Sequence, residues 1–224
     1  MFDRLERLIE NKVSILKNKT VLLVGLGGVG GYAFESLVRS AIGTIIIVDN
    51  DTFDKTNLNR QLLATTQTIG KYKIDEAENR KNIINPDCKI IKIRRFITKE
   101  NINVLFENKI DFVIDAIDTV ETKKLLIKEC LKRKIKFISV MGTGGKMDAS
   151  KLEITKLEKT SYEPIAKIIR TTLKKEKIKG TIMVISSTEK PKTSKPIGSN
   201  SFVPSTAGLL ATSYTINELL KEEQ

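Results

Sequence analysis

Two apolar runs of the same shape, "TVLLVG" at 20–25 and "TIIIVD" at 44–49, flank an amphipathic stretch from about Gly28 to Ala41. A run with no polar interruption is what a strand buried on both faces requires, so the pattern predicts two parallel strands with a helix between them. The alternation continues with a helix over Tyr72–Ile84, stopped by Asn85-Pro86, and a strand over 89–96. A short helix at 99–108, a strand over 111–118, a helix over 121–133 and a strand over 136–142 follow. Ahead of all these, Phe2, Leu5, Leu8, Ile9 and Leu16 share roughly one face of a helix predicted over 2–16. That order predicts an α/β fold, a doubly wound and mostly parallel sheet.

Past "GTGGKMD" (142–148) the rhythm changes. "KLEITKLEK" (151–159) reads as an edge strand, 163–176 as a basic amphipathic helix and "TIMVISS" (181–187) as another strand. A proline-, lysine- and serine-rich loop covers 188–201, and a last helix covers 205–220. The chain reads as one domain over 1–224, in which 149–224 is a C-terminal elaboration with a substrate-side loop at 188–203. A patternless loop of that length is longer than ordinary connections and is either functional or mobile.

Composition narrows the chemistry. Hydrophobic residues make up 40% of the 224, enough for a core. No run reaches the roughly 18 apolar residues of a membrane span, and the charged start "MFDRLERLIENK" is unlike a secretory signal. A cytoplasmic protein without stable membrane insertion is expected. The formal charge of +12 suits a polyanionic partner such as tRNA or nucleotide phosphates, and equally suits scattered solvated lysines. Arg170, Lys174 and Lys175 are candidate RNA contacts on the same two terms. With no histidine, acid–base work falls to carboxylates, lysines or the substrate itself. Cys88 and Cys130 have no CxxC spacing and read as small buried apolar residues.

The strongest motif is Gly25-Leu26-Gly27-Gly28-Val29-Gly30, set between a strand and a helix. The first glycine allows the turn, the second lets backbone N–H groups approach phosphate, and the third allows close helix–strand packing. The helix start adds unpaired donors and a favourable dipole. Asp49, at the end of the second strand, stands where an acid accepts hydrogen bonds from ribose hydroxyls. A nucleotide site follows. The next residues, "NDTFDKTNLNRQ", do not suit hydride transfer, because Asn57, Arg60 and Gln61 suggest charge handling on a triphosphate. Asp51 and Asp54 have no assigned role.

Taken together, "GLGGVGG", "VDNDTFDKTNLNRQ", "GKYK" and "DFVIDAIDTVETK" resemble the adenylating domain shared by ubiquitin-activating enzymes and their bacterial relatives in thiamin and molybdopterin synthesis. Within that superfamily, "FDRLERL", "DAID", "GTGGKMDAS", "EPIAKIIRTTLKK", "VISSTE" and "GSNSFVP" are most similar to the branch that dehydrates threonylcarbamoyladenosine in tRNA. The resemblance implies a ligase-type enzyme that uses ATP and Mg2+ to adenylate a carboxylate, after which an internal nucleophile closes a ring. It implies catalytic roles for Arg60, Lys73, Asp118 and, from a neighbouring subunit, Arg4, with Arg7 as the fallback. It places Gly25, Gly27, Gly28, Gly30, Asp49, Asn57, Gln61 and Lys123 around the nucleotide, and makes Asp118 the magnesium ligand. The implied partners are tRNA carrying threonylcarbamoyladenosine and a second copy of the chain; a sulfur-transfer partner stays open. The alternative is an adenylyltransferase acting on the C-terminus of a ubiquitin-like sulfur-carrier protein. A nicotinamide oxidoreductase and a non-catalytic nucleotide-binding module stand further off.

Overall fold

Leu22, Leu23, Ile45, Ile46 and Ile47 lie in strands whose one polar member is the opening threonine, and each is fully buried. They belong to β1 (Thr20–Val24) and β2 (Thr44–Val48), which pair in parallel from Thr20 opposite Thr44 to Val24 opposite Val48. The computed structural model describes residues 1–221. In it, β3 (Lys89–Ile93), β4 (Phe112–Asp115), β5 (Phe137–Val140), β6 (Leu152–Lys156) and β7 (Met183–Ser187) complete one seven-stranded sheet. The order is β3-β2-β1-β4-β5-β7-β6; only β6, at the edge, runs antiparallel.

Helices α3 (Gly30–Arg39), α4 (Lys73–Ile84) and α7 (Phe202–Lys221) bury Phe34, Leu37, Ile74, Ala207 and Ala211 in a core with one face of the sheet. On the other face, α5 (Val120–Arg133) and a 3-10 turn at Ile102–Phe106 enclose Leu22, Val24, Ile46 and Val113. Helix α6 (Pro164–Lys175) packs Ala166, Ile169 and Leu173 near β7. Each enclosed Leu or Ile contributes about 1.5–3 kcal/mol, so this interior carries the stability that a lysine-rich surface does not.

Several predicted elements are shorter than the hydrophobic pattern suggested. The opening helix is two pieces, α1 (Asp3–Leu8) and α2 (Val13–Lys17), because Glu10 and Asn11 turn the chain at φ of 53° and 64°. Leu8 consequently faces water. The helix predicted at 99–108 is only the 3-10 turn. Strand β3 ends at Ile93 and β4 at Asp115, which frees Arg95, Phe96 and Asp118 from the sheet and gives them to loops. Among the described residues, no helix is long and apolar enough to cross a membrane.

The chain order reverses between β1 and β4, the strand pair at which an open α/β sheet leaves a crevice beyond its carboxyl ends. The candidate site lies there.

Candidate active site

Three loops from the carboxyl ends of β1, β2 and β4 enclose a cavity of about 310 Å³, and the loops at 95–97, 143 and 199–204 complete its rim. The glycine turn forms its floor. Gly25 has φ of 96°, and a Cβ there would stand 2.7 Å from the Ala116 carbonyl oxygen. A Cβ on Gly30 would fall 1.8 Å from the Gly25 oxygen, so α3 approaches β1 as closely as it does only with glycine at 30. Gly27 and Gly28 line the cavity, and among the described residues their N–H groups are left unpaired. Unpaired donors beside a helix N-terminus form an anion site.

Asp49 reaches back across this turn. Its Oδ2 accepts from the Leu26 N–H at 2.7 Å and its Oδ1 from the Asp51 N–H at 2.9 Å. Burial pushes this carboxyl above its ordinary range, while the charge of Lys73 and the two N–H donors pull the other way. The carboxylate is therefore held in one orientation, with a lone pair on each oxygen still available to a diol.

Arg60 and Gln61 follow the 3-10 turn at Lys55–Asn57, and both line the cavity. The Arg60 guanidinium donates to Thr56 O at 2.7 Å and Asn59 Oδ1 at 3.1 Å, and its stem lies over Gly28. Gln61 is buried, and among the described residues its Oε1 has no hydrogen-bond donor. Lys73, the first residue of α4, is also buried in the wall, with Nζ 3.1 Å from Asp51 Oδ2. Asp118 also lines the cavity, and it is exposed.

Three expected site residues stand elsewhere. Lys123 is not in the cavity wall. It is fully buried on α5, where its ammonium donates to Asp115 Oδ2 (2.9 Å), Ser139 Oγ (3.3 Å) and Val140 O (2.9 Å). The reason is helical phase, for Lys123 shares the buried stripe of Leu126, Ile127 and Cys130. Asn57 also lies outside the lining. Its Oδ1 accepts from the Asp54 N–H at 3.0 Å while Asp54 caps Thr56, so the pair closes the 3-10 turn and fixes where Arg60 begins. Arg4 is exposed on α1 and does not touch the cavity of its own chain. Arg7 borders a separate surface hollow with Phe2, Lys17 and Asp87.

Other lining residues were not among the expected site residues, although Ser199 falls in the loop expected at 188–203. Arg95 and Phe96 line the cavity from the stretch over which the strand was expected to continue. Thr143, Ser199 and Pro204 also line it, and a Cβ on Gly28 would stand 3.3 Å from the Pro204 Cβ. The 188–201 loop is seated there by backbone hydrogen bonds between Gly145 and Gly198 (2.8 Å) and between Lys192 and Gly145 (2.7 Å). Asn59 Nδ2 donates to Ser199 O at 3.0 Å, tying this loop to the turn that carries Arg60. Neither thiol takes part. Both are buried, and burial pushes Cys88 up to about 11 and Cys130 higher still.

Known proteins are similar to this chain in sequence and fold. A family model described as the ThiF family matches residues 3–221. The tRNA threonylcarbamoyladenosine dehydratase of Bacillus subtilis is 43% identical over 226 residues, covering 92% of this chain and 89% of that protein. The protein of the same name from Haemophilus influenzae is 35% identical, covering 93% of this chain and 88% of its own. Among solved structures, E. coli tRNA N6-threonylcarbamoyladenosine dehydratase in complex with ATP superposes with a TM-score of 0.94 at 31% identity, covering 99% of this chain and 94% of the other.

Proposed function

This chain belongs to the ThiF family, and from that premise we propose that it is an ATP-dependent tRNA threonylcarbamoyladenosine dehydratase that works through an acyl adenylate. The observation that carries the reading is one cavity. A glycine cradle, a ribose-directed acid, Arg60, Gln61, Lys73 and Asp118 all meet in it, in a chain whose near-full-length relatives bear that name.

The roles follow from position. Asp49, already fixed by Leu26 and Asp51, orients the ribose. Gly27 and Gly28 offer N–H donors to the phosphates. Arg60 and Lys73 bring positive charge to the α-phosphorus, where the threonyl carboxylate forms a bond as pyrophosphate leaves. An atom of the same side chain then attacks the acyl carbon, and AMP departs with the former carboxylate oxygen. The nucleoside thereby loses the elements of one water. Holding both reacting groups on one tethered side chain supplies proximity, so no enzyme nucleophile is needed. That agrees with the absence of histidine and with two buried thiols.

For magnesium, the fit is to an ion that arrives with the nucleotide. Among the described residues no cluster of three ligating side chains exists, but Asp118 puts one exposed carboxylate on the cavity wall. One or two carboxylates plus phosphates are the usual magnesium environment. Bound there, the ion would neutralise phosphate charge. In this reading the protein works in the cytoplasm on tRNA and pairs with a second copy, whose Arg4 completes the phosphate site; a sulfur-transfer partner has no support from its buried cysteines.

The test is pyrophosphate release from ATP with modified tRNA, with a ubiquitin-like carrier protein, or with neither, while the nucleoside mass is followed. Release with tRNA and a loss of one water are expected. Release with the carrier alone would instead establish the adenylyltransferase. Arg60→Ala and Asp118→Ala should each lower turnover about 10²–10³-fold without unfolding the chain.

A further inference from the structure

We infer that the 188–201 loop is the RNA-docking face of this chain, with Lys190, Lys192 and Lys195 taking phosphates next to the nucleoside being modified; the inference rests on the dehydration reading above. Charge is the first observation. Residues 149–201 hold 12 of the 39 basic residues and only 5 of the 27 acidic ones. Within the loop the sole acid is Glu189, and its carboxylate is occupied by the Met147 and Asp148 N–H groups. All three loop lysines are exposed, and among the described residues none forms an ion pair. Five residues of chain reach at most about 17 Å, so these ammonium groups address neighbouring phosphates.

Position is the second observation. Ser199, from this loop, lines the same cavity as Asp49, the glycine turn, Arg60 and Thr143, so the loop borders the place where a nucleotide held on Asp49 and the glycine turn would react. In this inference the acceptor enters past the 188–201 loop. That loop is anchored where it meets the cavity, by the Gly145 pairings, by Asn59 to Ser199 and by Asn200 Nδ2 to Lys146 O at 2.7 Å. A Cβ on Gly145 would stand 2.7 Å from Lys192 O and one on Gly144 2.8 Å from Ile197, so the two loops are in close contact. The result is a firm seat with its lysines outward.

The rival basic surface is α6, and geometry disqualifies it. Arg170 spends its guanidinium on Leu157 O at 3.0 Å and on Thr160. The first turn of α6 abuts Gly142, at the site edge of the sheet. A helix of 12 residues is about 18 Å long, so Lys174 and Lys175 fall at the remote end, where Glu176 ties it to Lys128 of α5.

The experiment measures binding of a fluorescently labelled, unmodified tRNA by anisotropy across a salt series. Each phosphate contact contributes about −0.9 to the slope of log K against log salt. The triple variant Lys190→Ala, Lys192→Ala, Lys195→Ala is expected to bind more weakly and to flatten the slope by about 2–3. The control triple Lys174→Ala, Lys175→Ala, Lys179→Ala is expected to match the wild type. Equal slopes for the loop variant and the wild type, or a flattening confined to the α6 variant, would overturn the inference. Because binding is read without turnover, the outcome is separate from that of the dehydration reading, which fails only if the nucleoside keeps its mass.

Discussion

Two lysine–carboxylate pairs stand at the carboxyl ends of strands on either side of β1, and they do opposite things. Beyond β2, Lys73 meets Asp51 at 3.1 Å; the lysine side chain is 6% exposed but the aspartate 60%. At the end of β4, Lys123 meets Asp115 at 2.9 Å, with exposures of 0% and 1%. Distance does not separate them. What differs is whether anything else can reach the ammonium group. Asp51 is a partner that water, or a phosphate, can replace. Asp115 is enclosed, and it also accepts from Ser139 Oγ and the Ile117 N–H, so its pair is part of the scaffold that starts the loop carrying Asp118. The same two functional groups are an exchangeable contact in one place and a fixed strut in the other.

The largest effect should come from breaking the strut. Lys123→Met keeps the stem of the side chain but leaves the Asp115 carboxylate buried without a counter-charge, which costs about 3–5 kcal/mol. Denaturant unfolding measures it. Adding Asp115→Asn removes the stranded charge while retaining an acceptor for Ile117, so the double variant should recover part of the loss. A single variant as stable as the wild type would show that the pair is not the strut described.

Next in size is the exchangeable lysine. Lys73→Met should lower turnover by about 10²–10³-fold, the range for removing one preorganised group from a site of developing charge. Its stability should change by less than about 1 kcal/mol, because the lost partner is mostly in water. Initial rates and unfolding midpoints measured together give a contrast. Lys123→Met loses folded protein first, and Lys73→Met loses rate alone. Reversal of that order would erase the distinction between the two pairs.

How far these roles were legible in the sequence depended on what kind of signal each left. Gly25–Gly30 and Asp49 were readable because backbone requirements fix their spacing from a strand end. Arg60, Gln61 and Lys73 were legible through their motif, and all three line the cavity. Lys123 was misplaced because its distance from Asp118 was read along the chain and not around the helix. Its position on the stripe with Leu126, Ile127 and Cys130, with Asp115 and Ser139 in otherwise apolar strands, was the available sign of a buried ion. Asn57 was misplaced because Asp54-x-x-Asn57 is a local capping pattern, and a short polar side chain satisfies its own turn before it reaches a ligand. Arg95 and Phe96 left no sign, since an apolar-basic run does not show where strand pairing stops. The seating of the 188–201 loop was equally hidden, because it rests on backbone hydrogen bonds to 145, which no side-chain pattern encodes.

The smallest effect tests whether Asp51 is only a stand-in. Asp51→Asn keeps the shape and removes the charge that holds the Lys73 ammonium. If nucleotide phosphates must displace that carboxylate, its loss should lower the KM for ATP by about two- to fivefold, matching an exposed ion pair worth under about 1 kcal/mol. The effect should shrink as salt rises, because the pair is open to screening. Steady-state kinetics at two ionic strengths measures both. A rise in KM would mean that Asp51 contacts the bound nucleotide or its magnesium directly. The pair beyond β2 would then be a binding group in its own right, and burial would no longer be the property that divides it from the pair on β4.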